Sequence, residues 1–151
     1  MILFIMLLVS AYLHFMQSSG KNDAAIIYEQ ISLTTDTDCN IVETTCEGRA
    51  EELSIDLKFG DKPSGLKAFP VVVTINNGAK KNIKTVLVNF TMKNMSMGKQ
   101  YRTLIKNSET SQWEGQVILP ICSTGRRDWH VTVDIISESV IFSADYEFEL
   151  Q

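Results

Sequence analysis

Histidine is scarce in this sequence, which contains only His14 and His130. Because His14 lies inside an apolar N-terminal run, His130 is the only histidine that a folded domain has for acid–base catalysis. No Ser-His-Asp set can be assembled around it, and neither a G-x-S-x-G pattern nor a glycine-rich phosphate loop occurs. The sequence therefore gives no support for an enzyme, and we expect no small-molecule substrate.

A surplus of basic residues is also missing. The formal net charge is −4, and acidic and basic side chains are mixed along the chain. Proteins that bind nucleic acid use clustered lysines and arginines to neutralise phosphates, so we expect no nucleic-acid partner. The chain has 151 residues and is 44% hydrophobic, which is enough for one domain with a buried core.

Lysine and arginine are absent from residues 1–16, MILFIMLLVSAYLHFM, which are almost wholly apolar. The run is slightly shorter than a full bilayer span of about 20 residues and longer than a usual signal-peptide core. We predict an uncleaved hydrophobic helix that anchors the protein in the cytoplasmic membrane and leaves its domain on the periplasmic, extracytoplasmic side. The alternative is a signal peptide with Val9-Ser10-Ala11 as its cleavage site, which would release a secreted domain.

Residues 17–38 are polar and show little periodicity, which predicts a linker between the membrane and a domain at residues 39–151. From residue 51 onward apolar and polar side chains alternate, which is typical of half-buried strands. About seven such strands are separated by short turns, and no helical stripe occurs. This pattern predicts an all-β, immunoglobulin-like antiparallel β-sandwich.

The alternation also predicts which side chains face the core. Both tryptophans, Trp113 and Trp129, have the parity of buried residues and need no cofactor to explain them. The other predicted core positions are Leu53, Ile55, Leu57, Phe59, Phe69, Val71, Val73, Ile75, Val86, Val88, Phe90, Met92, Val131, Val133, Ile135, Phe142, Ala144, Tyr146, Phe148 and Leu150.

Cysteine occurs only at Cys39, Cys46 and Cys122. The first two, in DCNIVETTCEG, are spaced to close a small loop as a disulfide, which suits an oxidising compartment. Cys122 is then an odd thiol in an exported protein. It is either a small buried hydrophobe at a strand end or a reactive or metal-binding group.

Methionine is absent between residue 16 and Met92, and the only methionines beyond residue 16 are Met92, Met95 and Met97. Met92 has core parity, whereas Asn94, Ser96 and Gly98 interrupt the strand and place the other two in a polar connection. Residues two apart in an extended segment point the same way at about 6.5–7 Å, so two thioethers can meet over one ion. Thioether sulfur selects Cu(I), so these methionines are candidate ligands of a Cu(I) site. The alternatives are that they form an apolar contact surface for a protein partner, or that they only fill gaps in the packing.

Two further side chains are candidate ligands. Cys122, in LPICSTGRRDW, would join the methionines if the sandwich gathers both connections at one pole. His130 points away from the core if Trp129 points into it, so it is either an ordinary solvated histidine or an additional ligand. Arg126, Arg127 and Asp128 are expected to stabilise the turn or to form surface ion pairs, with anion binding as the alternative.

NFTMKNMSMG, QWEGQVILPIC and STGRRDWHVTVDI together resemble exported bacterial proteins with a YtkA/FixH-like β-sandwich, similar to copper carriers of the CopC type. The resemblance covers residues 50–136. It implies a copper-handling or oxidase-assembly accessory protein, with Met95 and Met97 as Cu(I) ligands and Met92 and Cys122 as secondary ones. A Cu(II) site is not expected, because no N-terminal histidine is available for it.

We therefore expect a non-enzymatic, membrane-tethered Cu(I)-binding module that exchanges copper with a donor or acceptor protein. The alternative is a protein-interaction domain of a membrane complex that uses the methionine segment as its contact patch and binds no metal.

Overall fold

The computed structural model describes residues 28–77, 82–95 and 100–151. Every regular element in these ranges is a β-strand, and there are ten of them. Their bounds are β1 Glu29–Ser32, β2 Thr34–Thr35, β3 Cys46–Arg49, β4 Ser54–Phe59, β5 Phe69–Ile75, β6 Thr85–Met92, β7 Gln100–Lys106, β8 Trp113–Val117, β9 Asp128–Ile136 and β10 Val140–Glu149.

The ten strands form one sheet in the order β1-β10-β9-β6-β7-β8-β5-β4-β3-β2. All neighbours are antiparallel except β1 and β10, which run parallel. The all-β prediction is confirmed, whereas the count of about seven strands and the purely antiparallel pairing are wrong. The parallel pair was not predictable from turns, because β1 and β10 lie at opposite ends of the described chain.

The sheet folds back on itself until it nearly closes. On one side β7 pairs with β6 along most of its length and with β8 only at Ile105 and Lys106, so it joins the two halves. On the other side the Leu33 N–H donates to the Ser143 carbonyl at 2.8 Å, and the Thr35 hydroxyl donates to the Asp145 carbonyl at 2.9 Å. The result is a sandwich-like, barrel-like shell around one core.

Alternation along the strands fills that core, as the sequence predicts. In β6, Val86, Val88 and Phe90 are fully buried, while the residues between them are only half-buried. β5, β9 and most of β10 follow the same pattern, and the two tryptophans are buried. The exceptions are Ser54 and Ser143, which are buried, and the predicted core residues Phe59 and Ile75, which are half-buried. Burying such side chains contributes about 1.5–3 kcal/mol each, and this is the main contribution that holds the two halves of the folded sheet together.

Four phenylalanines pack against one another between the two halves of the folded sheet. Phe59 and Phe69 come from β4 and β5, and Phe90 and Phe148 come from β6 and β10. The Phe59 and Phe148 rings are 5.1 Å apart and edge-to-face, and Phe69 meets Phe90 edge-to-face at 6.2 Å. This is the geometry that aromatic pairs prefer.

Three strands, β1 to β3, lie outside the predicted set. β1 and β2 fall inside residues 17–38, so the sheet begins within the segment predicted as a linker. Both are short and mostly exposed, with little apolar alternation to mark them. β3 contains Gly48, whose missing side chain leaves space for the Tyr146 hydroxyl, 2.8 Å from where a Cβ would lie.

The predicted N-terminal helix, residues 1–16, lies outside the described residues. Within residues 28–77, 82–95 and 100–151 there is no helix long and apolar enough to span a membrane.

The antiparallel registers bring several connections to one end of the shell. These are residues 36–45, 60–68, 93–95 and 118–127, together with the last two residues, 150–151. Backbone hydrogen bonds tie them together, since Leu150 donates to Arg127 at 2.9 Å and Gln151 donates to Pro63 at 2.8 Å. We call this end the sulfur pole, because it holds Met95 and Cys122.

Candidate metal centre

A tight turn at the end of β6 places Met95. Asn94 has a φ of 58°, which asparagine tolerates better than most residues, and the Met95 N–H donates back to the Met92 carbonyl at 3.3 Å. The turn ends the strand, as the sequence predicts, and folds the Met95 side chain against the core, where it is half-buried.

The long connection between β8 and β9 places Cys122. β8 ends at Val117, so Cys122 lies in this connection and not at the end of a strand. Leu119 anchors the connection in the core, and the Gly125 N–H donates to the Cys122 carbonyl at 3.0 Å. Gly125 has a φ of 75°, a conformation that glycine adopts without strain. Cys122 is free of disulfide and only 5% exposed.

The two connections meet through sulfur. Cys122 Sγ lies 3.7 Å from Met95 Sδ, a contact between residues 27 positions apart. A thiol and a thioether are both soft donors, and a thiolate is the form of cysteine that binds metal. This contact brings together two of the four predicted sulfur ligands.

Thr124 and Arg126 favour the thiolate form of Cys122. The Thr124 hydroxyl lies 2.9 Å from Cys122 Sγ, and this hydrogen bond is the largest cause of a lowered pKa for the thiol. Backbone hydrogen bonds and the positive charge of Arg126 lower the pKa further, against the opposing effect of burial. Arg126 is itself paired with Asp128, and its Nε donates to Asp128 Oδ1 at 2.9 Å.

A small cavity lies beside Cys122. Its volume is about 220 Å³, and it is lined by Gly65, Ile121, Cys122, Arg126 and Leu150, among others. Cys122 lines this cavity, although the side chain itself is almost fully buried.

Of the other predicted ligands, Met92 and His130 lie away from this contact. Met92 is 3% exposed and packs in the core, in agreement with its strand parity. Met97 lies outside the described residues. His130 is half-buried on the outer face of β9, where its Nε2 lies 3.4 Å from Glu147 Oε1. That carboxylate is also 3.9 Å from Lys93 Nζ, so His130 has charged partners of its own.

The predicted disulfide is confirmed between Cys39 and Cys46, whose Cα atoms are 5.8 Å apart. It closes the connection between β2 and β3 at the sulfur pole. Within the described residues no group of three or more His, Cys, Asp or Glu side chains could hold a metal ion.

Comparison with protein-family models, with curated proteins and with solved structures finds no match to this chain. The resemblance to YtkA/FixH-like proteins stays a prediction.

Sequence reasoning did not single out Thr124 as the partner of Cys122. The spacing C-x-T within a turn was the available signal, because hydroxyl groups in turns commonly bond groups two residues away. Nor did it single out Leu66, an exposed residue of the sulfur pole with a φ of 59°.

Proposed function

We propose that this protein is an exported Cu(I)-binding accessory module that receives copper from, or hands copper to, a partner protein near the outer face of the cytoplasmic membrane. The observation that carries the proposal is the 3.7 Å contact between Cys122 Sγ and Met95 Sδ. It supports the proposal because two soft donors from distant parts of the chain already lie within reach of one ion.

The donor set fits Cu(I) better than it fits harder ions. Thiolate and thioether sulfur select Cu(I), whereas Mg²⁺ and Ca²⁺ prefer oxygen ligands. In this proposal Cys122 and Met95 hold the ion, and Met97, two positions further along the connection, completes the set. Met92 has no part in it because its side chain packs in the core.

Thr124 and Arg126 contribute by keeping Cys122 ready to bind. A ligating cysteine must lose its proton, so a lowered thiol pKa reduces the competition between proton and metal. A bound Cu(I) would be the cargo of the module, and no redox or hydrolytic step is part of the proposal.

Two features of the chain support the remaining parts of the proposal. The disulfide Cys39–Cys46 suits an oxidising compartment, which agrees with export by the N-terminal segment. The strand neighbours β10-β9-β6-β7 and β4-β5-β8 correspond to the G-F-C-C′ and A-B-E orders of immunoglobulin sandwiches, which supports an immunoglobulin-like assignment.

A Cu(I) titration against a competing chelator tests the proposal. We expect the full chain to bind one Cu(I), and we expect Met95→Leu with Met97→Leu, or Cys122→Ser alone, to abolish tight binding. Met92→Leu is the matched control, since it changes a methionine that packs in the core and should leave the affinity unchanged.

The same variants distinguish the alternative function. Leucine keeps the apolar bulk of methionine, so a protein contact patch would survive Met95→Leu and Met97→Leu. Unchanged copper uptake in that double variant would eliminate the proposed ligands. Absence of uptake by the unaltered chain would favour the interaction domain.

A further inference from the structure

A strained turn at the sulfur pole displays an apolar side chain to solvent. The Lys67 N–H bonds back to the Ser64 carbonyl at 3.3 Å, which makes residues 64–67 a β-turn with Leu66 at its third position. Leu66 has a φ of 59°, in the region where this position usually carries glycine or asparagine. The adjacent Gly65 does not use its own freedom to adopt a positive φ.

The strain at Leu66 brings no gain in burial, because Leu66 is 68% exposed. Its N–H donates to the Leu119 carbonyl at 2.9 Å, so the turn is held against the β8–β9 connection. Backbone strain of this kind persists only where the surrounding structure holds it, and it concentrates at functional sites. An exposed leucine at a glycine position therefore indicates a role outside folding.

A second exposed apolar side chain lies beside the turn. Ile121 is 63% exposed, and its Cγ1 lies 2.5 Å from where a Cβ on Gly65 would be. A larger residue at position 65 would therefore displace Ile121. Gly65 thus lets the Leu66 turn and the Ile121 segment sit side by side, next to Cys122.

Basic residues lie in the same two connections as these two side chains. The connections 60–68 and 118–127 contain four basic residues and one acidic residue, Asp61, in a chain whose formal net charge is −4. Lys62, Lys67 and Arg127 are exposed. These two connections are therefore basic in an acidic chain, whereas residues 36–45 at the same pole carry Asp36, Asp38 and Glu43.

We infer that the Leu66 and Ile121 side chains, with the exposed Lys62, Lys67 and Arg127 of the same two connections, dock this part of the sulfur pole onto the surface of an anionic lipid bilayer. Apolar side chains that enter the interface, combined with basic residues that face anionic headgroups, are what holds a peripheral protein on such a surface. A stable protein interface buries about 800 Å² per partner, and two apolar loop tips alone do not provide it.

The docking goes beyond the tether predicted at the N-terminus, because it fixes which end of the domain faces the lipid. It does not depend on metal binding, so the two proposals can fail separately. If both hold, the Cys122 and Met95 sulfur atoms lie close to the bilayer surface.

Fluorescent labels on the full chain test the orientation. In a Cys122→Ser background, which removes the free thiol and the proposed copper ligand, a single cysteine is introduced as Leu66→Cys or as Ser108→Cys. Ser108 is exposed in the turn between β7 and β8, at the opposite end of the shell. Each protein is labelled with an environment-sensitive dye and reconstituted into phosphatidylglycerol or phosphatidylcholine vesicles.

We expect a blue shift of the label at position 66 in phosphatidylglycerol vesicles, a smaller shift in phosphatidylcholine, and none at position 108. Equal shifts at both positions, or no shift at position 66, would overturn the inference. A shift at position 66 that appears only when a soluble protein extract is added would also overturn it, in favour of a protein partner.

Charge removal tests the electrostatic part. Each basic residue near an anionic surface contributes about fivefold to binding, so Lys62→Gln, Lys67→Gln and Arg127→Gln together should lower the docked-to-undocked ratio roughly 100-fold. The matched control is Lys58→Gln with Lys84→Gln and Lys106→Gln, three exposed lysines outside these two connections. An equal loss in the control set would contradict a specific docking surface.

Discussion

Met95 and Cys122 are 27 positions apart in the chain, yet their sulfur atoms lie 3.7 Å from each other at one end of the shell. Neither residue is in a strand. The Asn94 turn carries Met95 to this position, and the β8–β9 connection carries Cys122 to it, so the contact depends on how the sheet folds. The pair is also the basis of the proposed function, and the predictions below test the pair and the fold that supports it.

Thr124→Val should raise the pKa of the Cys122 thiol. The Thr124 hydroxyl is the largest cause of the lowered pKa, and valine keeps the shape but donates no hydrogen bond. Ultraviolet thiolate absorbance, followed against pH, measures the change. Thr103→Val, an exposed threonine in β7, is the control and should leave the titration unchanged.

The sign of the accompanying stability effect follows from the lowered pKa. A thiol with a depressed folded-state pKa stabilises the fold above its unfolded pKa, near 8.5, and this contribution disappears as pH falls through the folded-state value. The stability difference between the unaltered chain and Thr124→Val should therefore be larger at pH 9 than at pH 5. A difference that grows toward acid would contradict the assignment.

Removing the disulfide should destabilise the domain. Cys39 and Cys46 are separated by 7 positions, and closing a loop of this length lowers the entropy of the unfolded chain by an equivalent of about 2.5 kcal/mol. Urea denaturation of Cys39→Ala with Cys46→Ala measures the loss. A reductant should destabilise the unaltered chain and have no effect on the double variant. Peptide mapping without reduction should show Cys122 unlinked, and a bridge from Cys122 to either cysteine would refute the pairing.

Phe90→Ala should cost about 3–5 kcal/mol, because a fully buried ring leaves a cavity when it is removed. Phe90 contacts the rings of Phe69 and Phe148, with centroids 6.2 and 6.1 Å away, so the loss affects both layers. Ile105→Ala is the comparison, since Ile105 is 76% exposed and the expected change is within about 0.5 kcal/mol. Similar losses in the two variants would show that Phe90 is not part of a shared core.

Leu66→Gly should leave the domain as stable or make it more stable, by up to about 1 kcal/mol. Glycine removes the strain of a φ near 59° and sacrifices little buried surface, although it adds entropy to the unfolded chain. Thermal unfolding of the two proteins measures the difference. A clear loss of stability would mean that Leu66 packs in the fold, which would weaken its assignment to membrane docking.

The strands with long alternation could be predicted from the sequence because their two faces lie in different environments. Val86 and Val88 occupy alternate positions of β6, and these positions face the core. This alternation allowed β6 to be predicted from the sequence. β1 was not, because its mostly exposed EQIS segment obtains its order from the backbone of β10. Pairing between distant segments leaves no local signal, which is also why the parallel neighbour was missed.

The site was predictable only in part. The break at Asn94 correctly assigned Met92 to the core and Met95 to the connection. The sequence predicted contact between Cys122 and Met95 only if their two connections lie at the same pole, because nothing local to either residue fixes that arrangement. Cys122 was expected at a strand end, but Pro120 and the buried Leu119 belong to a connection that begins after Val117.

X-ray absorption at the copper edge of the Cu(I)-loaded chain tests the central claim most directly, because it reports which atoms surround the metal. We expect a nearest shell of sulfur atoms only, with one sulfur fewer in Met95→Leu and no copper retained by Cys122→Ser. A shell of nitrogen and oxygen, or a spectrum unchanged in both variants, would contradict the account.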